Sequence, residues 1–130
     1  MQQAIKNSGI SEDMIDYVNA HGTSTPLGDI AETTAIKKTF KEYATKVNIS
    51  STKSMTGHLL GAAGGIESIF CVKAIQEGVI PPTINIEHQD KACDLNYTPN
   101  NPVERKIKHA LNNSFGFGGT NSSIIYSSHS

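Results

Sequence analysis

The chain has almost no net charge, its 11 basic and 12 acidic residues summing to −1 with histidine neutral. That balance leaves no electrostatic footprint for nucleic acid or an anionic membrane, so a strongly charged partner must be met by a local patch. Two small basic clusters, Lys37, Lys38 and Lys41, then Arg105, Lys106 and Lys108, read as a solvated helix face and a loop. Cysteine is as scarce: Cys71 lies inside an apolar stretch and Cys93 in a polar loop. Two thiols without metal-ligand spacing supply neither a zinc site nor a disulfide framework, and they fit a reducing, cytoplasmic compartment. The longest apolar stretch, residues 59–75, is short for a membrane span and contains Glu67 and Lys73, so it reads as a buried helix. The first ten residues lack the apolar core of a signal peptide and read as the last turns of an amphipathic helix stopped by Gly9. There is no internal repeat and no low-complexity tract, and 130 residues fit one domain, 1–130, with a moderate core.

What is present alternates. A β-branched and aromatic run at 15–20 predicts a strand, and Thr25 as N-cap with Pro26 in first position predicts a helix beyond it. Asp29 and Glu32 then sit in its first two turns, where carboxylates suit the helix dipole. Ile30, Ala31, Ala35, Ile36 and Phe40 give this helix an apolar face. A second strand at 46–50, a turn, and a helix from about 59 to Gly78 repeat the pattern, which is that of an α/β fold with parallel strands and covered faces. Gly57, Gly61, Gly64 and Gly65 crowd the start of that helix and predict another element lying close across its backbone. Pro81-Pro82-Thr83-Ile84-Asn85 is extended and kept to an edge by proline, 87–104 is a polar surface arm, and strands at 109–114 and 122–127 flank a glycine-rich turn.

Three turns carry the chemistry. Asn-Ala-His-Gly-Thr-Ser-Thr-Pro at 19–26 and Ser-Thr-Lys-Ser-Met-Thr-Gly-His at 51–58 each follow a short apolar run, so His21 and His58 are expected at strand ends, aimed at a common point. For His21 the local pattern leaves two readings open, a structural histidine before a capped helix or a ligand-facing one. His58 is expected near a helix N-terminus with Lys53 close by; both influences favour a neutral ring, able to donate a hydrogen bond to a carbonyl oxygen and stabilise an enolate. Glu67 is either a satisfied buried carboxylate or the partner of Lys53. A metal site would have to be assembled from distant positions, since no His-Glu-x-x-His, paired cysteine or short His-x-His spacing occurs. The third turn, Asn-Ser-Phe-Gly-Phe-Gly-Gly-Thr-Asn at 113–121, falls short of a phosphate-binding pattern, and its exposed amides would serve as an oxyanion hole.

Together the three turns and the Pro81-Pro82-Thr83-Ile84-Asn85 segment resemble the C-terminal part of the β-ketoacyl-acyl carrier protein synthases, most closely the type II enzyme, across essentially the whole chain. Polyketide ketosynthase domains share much of the same wording. The resemblance implies a thiolase-like C-terminal half-domain, a mixed and mostly parallel sheet with covering helices, lacking its first strand. It also implies a decarboxylative Claisen condensation of an acyl-enzyme with malonyl-acyl carrier protein. By the same match His21 and His58 bind the malonyl thioester oxygen, Lys53 supports the second histidine, and Glu67 belongs to that polar network. Thr23 and Thr25 contact the pantetheine arm of the carrier. Phe117, between Gly116 and Gly118, gates the site and lends its amide to the oxyanion hole. No metal or separate cofactor is implied, because the substrates ride on the phosphopantetheine of acyl carrier protein; family enzymes are homodimers.

One departure limits what carries over. The family's cysteine nucleophile lies in an N-terminal half, and neither Cys71 nor Cys93 sits in a comparable turn. The chain is therefore expected to be the C-terminal piece of such an enzyme, from a truncated or split gene or an excised segment, inactive without the half that bears the nucleophile. A carrier-binding fragment without turnover is the competing reading.

Overall fold

A computed structural model describes residues 1–129. Its elements are α1 (Gln2–Ser8), β1 (Tyr17–Asn19), α2 (Gly28–Phe40), β2 (Asn48–Ser50), α3 (Lys53–Thr56), α4 (Ala63–Glu77), β3 (Val79–Ile80), β4 (Val103–Glu104), β5 (His109–Phe115) and β6 (Asn121–Ser127). The main sheet runs β2-β1-β5-β6; β1 is parallel to both β2 and β5, and β6 returns antiparallel. This is the expected mixed, mostly parallel sheet with helices on both faces. Gly9 ends α1 and Gly78 ends α4, each in the left-handed conformation that glycine adopts without a Cβ penalty.

Strand alternation divides the interior. Val18, Ile49 and Leu111 are register partners whose side chains meet Ile36 and Phe40 of α2 and Ile5 of α1 in one core. On the opposite face Tyr17 and Ala110 pack against Cys71 and Ala74 of α4. That face changes character toward the carboxyl ends of the parallel strands, where Asn19, Ser50 and Asn112 replace the apolar residues and are buried. A polar floor therefore lies under the turns that leave β1 and β2.

Four expectations needed correction. α2 begins at Gly28 rather than Pro26, although Thr25 still acts as a cap: its Oγ1 accepts the Gly28 N–H at 3.1 Å. The inward stripe of α2 is Glu32, Thr33, Ile36, Thr39 and Phe40, while Ile30 and Ala31 face out, because the sheet needs hydrogen-bonding groups as well as apolar ones at this end. Of the crowded glycines only Gly64 meets a close neighbour, the Ser114 Oγ at 3.1 Å from where a Cβ would stand; Gly57, Gly61 and Gly65 have nothing within 4 Å. The 87–104 arm is more than surface: Leu95 and Thr98 are buried, Leu95 within the α2 core, and β4 pairs with β3. Leu95, with Tyr97 packed against the same core, anchors it, a signal too sparse for periodicity to show.

Candidate active site

The first turn is held from α2. Leaving β1, the Ala20 N–H donates to the Ser50 carbonyl at 2.9 Å, and the next two amides, of His21 and Gly22, donate to Oε1 and Oε2 of Glu32 at 2.9 and 2.8 Å. Asn113 Nδ2 donates a third bond to this carboxylate, to Oε1 at 3.3 Å. Glu32 is 6% exposed; burial pushes its carboxyl up while these donors pull it down, and burial prevails. The His21 ring is half-buried, with Nδ1 among the few buried polar atoms lacking a partner in the described residues. Burial, then the Lys53 ammonium, then His58 push its pKa down to about 4, so the ring is neutral at pH 7.

The second turn is held from α4. Lys53 opens α3 and reaches back to Glu67, Nζ to Oε1 2.6 Å, with both side chains almost wholly buried. Burial pushes the Glu67 carboxyl up against the pull of that ammonium, and its Oε2 lacks a partner among the described residues. Of the two readings left open for Glu67, pairing with Lys53 is the one present; among the described residues Lys53 makes no direct hydrogen bond to either histidine. His58 stands in an exposed stretch after Gly57, and the Leu60 N–H donates to its Nδ1 at 3.1 Å. With Nδ1 accepting, a neutral ring must carry its proton on Nε2. The two rings face each other edge-on, centroids 5.5 Å apart at 88°. The sequence expectation that two distant turns converge is met within one ring contact.

The third turn closes the group from β5 and β6. Phe115, not Phe117, touches His21, with ring centroids 5.6 Å apart. Phe117 is fully exposed, and Gly118 and Gly119 after it are left-handed at φ 74° and 81°. The Gly116 N–H is bonded to the Thr120 carbonyl at 2.9 Å, which closes the turn. Thr23 and Thr25 line a cavity of about 870 Å³ that also reaches Lys53, Ser54 and Ile84, whereas His21 and Phe115 line a smaller one of about 330 Å³ that shares Thr23. The larger cavity thus runs beside the histidines rather than at them.

Glu32 is the chief residue that sequence reading misplaced, as a dipole-facing carboxylate. Its spacing four and eight residues before Ile36 and Phe40, on the buried stripe, was the available signal. Cys71 is fully buried and its thiol is pushed up to about 12 by burial, so it is no nucleophile; Cys93 is a free, half-buried loop cysteine. Among the described residues no three His, Cys, Asp or Glu side chains gather to hold a metal ion, and no helix is long and apolar enough to cross a membrane.

Residues 1–87 match the family model for the beta-ketoacyl synthase C-terminal domain. The chain is 52% identical over 127 residues to 3-oxoacyl-[acyl-carrier-protein] synthase 2 of Coxiella burnetii, covering 98% of this chain and 31% of that protein. It is 48% identical to nodulation protein E of Rhizobium meliloti, over 97% of this chain and 31% of the relative. Among solved structures, a type II polyketide synthase acyl-carrier protein in complex with its ketosynthase bound to the hexaketide superposes with a TM-score of 0.96 at 42% identity, over 98% of this chain and 31% of that one. The chain therefore spans about a third of the length of the relatives it matches.

Proposed function

The chain belongs to the β-ketoacyl synthase family through its C-terminal domain, and on that premise we propose that it is the malonyl-activating portion of a 3-oxoacyl-[acyl-carrier-protein] synthase. The condensation begins when the bond between the malonyl methylene carbon and its carboxylate breaks. Carbon dioxide leaves, and the electron pair passes into an enolate whose negative charge gathers on the thioester oxygen. His21 and His58 meet that oxygen with neutral N–H groups, which stabilise developing charge without surrendering a proton. The enolate carbon then attacks the acyl thioester, and the cysteine thiolate supplied by the N-terminal portion departs.

The observation that carries this reading is the His58 ring: Nδ1 accepts the Leu60 N–H, which leaves Nε2–H as the only donor, and the His21 ring stands 5.5 Å away. Lys53 and Glu67 form the buried base under the second turn. Thr23 and Thr25 bind the pantetheine arm of the carrier; Thr25 Oγ1 accepts one bond from Gly28 and keeps its own proton for the ligand. Phe117 swings on Gly116 and Gly118 as the gate and presents its amide to the oxyanion. The substrate arrives on acyl carrier protein, with no further cofactor. Two free cysteines accord with a cytoplasmic setting, and the assembled enzyme is read as a homodimer.

The test is malonyl decarboxylation and condensation by the chain with and without a co-expressed N-terminal portion bearing the nucleophile. Condensation is expected only with both, and is expected to disappear in His21→Ala and His58→Ala. Condensation by the chain alone would overturn the dependence. Carrier binding without turnover, indifferent to both substitutions, would make it a binding fragment instead.

A further inference from the structure

The Pro81-Pro82-Thr83-Ile84-Asn85 segment has no part in the chemistry above, yet its polar atoms are bonded to the second histidine turn, and through Ser51 to the first. Thr83 Oγ1 donates to the Tyr97 carbonyl at 2.8 Å and accepts the Ser51 N–H at 3.0 Å, so its single proton is committed and its position fixed from both sides. Its backbone is as firmly held: the N–H donates to the Thr98 carbonyl at 3.0 Å, and its carbonyl accepts the Asn100 N–H at 2.8 Å. Two prolines ahead of it restrict the approach of the chain. A second rung follows, Ile84 N–H to Ser54 Oγ at 3.0 Å, with Ser54 Oγ donating to the Ser51 carbonyl at 2.8 Å.

Ser51 is the point where this segment, the first histidine turn and the second come together. Its Oγ donates to the Gly22 carbonyl at 2.6 Å, directly after His21. The contact has no slack, since a Cβ on Gly22 would lie 2.6 Å from the Ser51 Cβ. On the other side, consecutive bonds carry the position of Ser51 toward His58: Ser54 N–H to Ser51 O at 3.2 Å, Thr56 N–H to Thr52 O at 3.1 Å and Gly57 N–H to Lys53 O at 2.9 Å. We propose that Thr83, acting through Ser51, is a positioning residue that sets the separation and mutual orientation of the His21 and His58 rings. The inference rests on the reading of these histidines as a working pair. Neither Thr83 nor Ser51 touches the reacting atoms; they hold the frame on which the two rings are carried.

The test uses the chain itself, isotopically labelled, with the nuclear Overhauser effect between the two imidazoles and the ring nitrogen shifts as readouts. Thr83→Val and Ser51→Ala are expected to weaken the inter-ring effect severalfold and to move the shifts of both rings, and Thr83→Ser, which keeps the hydroxyl, to restore them. Ile107→Val, a comparable trim in the core beneath α4, serves as a control and is expected to leave the ring contact intact. An inter-ring effect unchanged in both hydroxyl-deletion variants, or lost equally in Ile107→Val, would overturn the proposal; should Thr83→Val fail to fold, Ser51→Ala decides. With the N-terminal portion added, Thr83→Val is expected to lower kcat for decarboxylation roughly tenfold to a hundredfold with KM little changed, the signature of misplacement rather than lost binding. Absence of turnover in the unsubstituted assembly would sink the functional reading and leave the ring measurement to judge the clamp.

Discussion

The two histidine turns are built on opposite plans. His21 is fixed through its backbone: Glu32 takes the amides of His21 and Gly22, while Nδ1 of the half-buried ring has no partner among the described residues. His58 is fixed through its ring: the Leu60 amide holds Nδ1, while the residue itself stands exposed above the buried Lys53–Glu67 pair. In the first turn protonation is suppressed by desolvation and the tautomer is left free; in the second the tautomer is set by a hydrogen bond. The difference teaches that two donors with the same task can be tuned by separate means, one by its surroundings and one by its partner. Both turns nonetheless depend on a buried carboxylate from a helix, Glu32 of α2 on one face of the sheet and Glu67 of α4 on the other.

The largest effect should come from the base of the second turn. Lys53→Met leaves Glu67 buried without its cation and is expected to lower unfolding stability by about 3–5 kcal/mol in denaturant titration. A loss under about 1 kcal/mol would mean that water reaches the pair and the contrast with the exposed His58 fails. Next, Glu32→Leu strips the acceptor from two half-buried amides of the first turn and is expected to cost about 2–4 kcal/mol, with the His21 amide losing its hydrogen-exchange protection while the Leu60 amide keeps its own. Equal loss at both amides would show one cooperative unit rather than two. Gly22→Ala, at φ 41° and against the Ser51 side chain, is expected to cost about 1–3 kcal/mol by the same titration.

Sharper in meaning is the titration of the first ring. His21 is expected to titrate near 4, well below its ordinary 6.5, in a magnetic resonance pH series. Because its folded pKa is depressed, the unfolded chain takes up the proton first on acidification. The His21 contribution to stability is therefore fully present above about 6.5, shrinks as pH falls from there to about 4, and levels off below. A His21 titration near 6.5 would remove the desolvation half of the comparison. The finest test is the His58 tautomer: ring nitrogen shifts are expected to show the proton on Nε2, and a proton on Nδ1 would break the other half.

Much of this site was legible in the chain. Short β-branched runs before His21 and before the Ser51–His58 turn marked strand ends, and parallel strands bring their carboxyl ends to one side of a sheet, so convergence followed from topology. The Lys53–Glu67 pair was readable as an option because a carboxylate inside an apolar helix needs a partner. Less legible was Glu32, since one residue's spacing on an amphipathic helix does not say which face the sheet will need. The arm at 87–104 was hidden for another reason: Leu95, Tyr97 and scattered backbone and hydroxyl bonds tie it down, and no periodicity announces isolated contacts. The contact of Phe115 with His21 was not legible, because only the end of the strand decides which ring of the motif turns inward.

By itself the sequence determined the residues that can act, their family and the order of strand, turn and helix, because these depend on local propensity and on motifs read within a few positions. Tertiary structure alone decided the 5.5 Å meeting of the rings, the desolvation of His21 and the Thr83–Ser51–Gly22 link. Each of these joins groups far apart in the chain or depends on how closely water can approach, and such quantities exist only once the faces of the sheet have been covered.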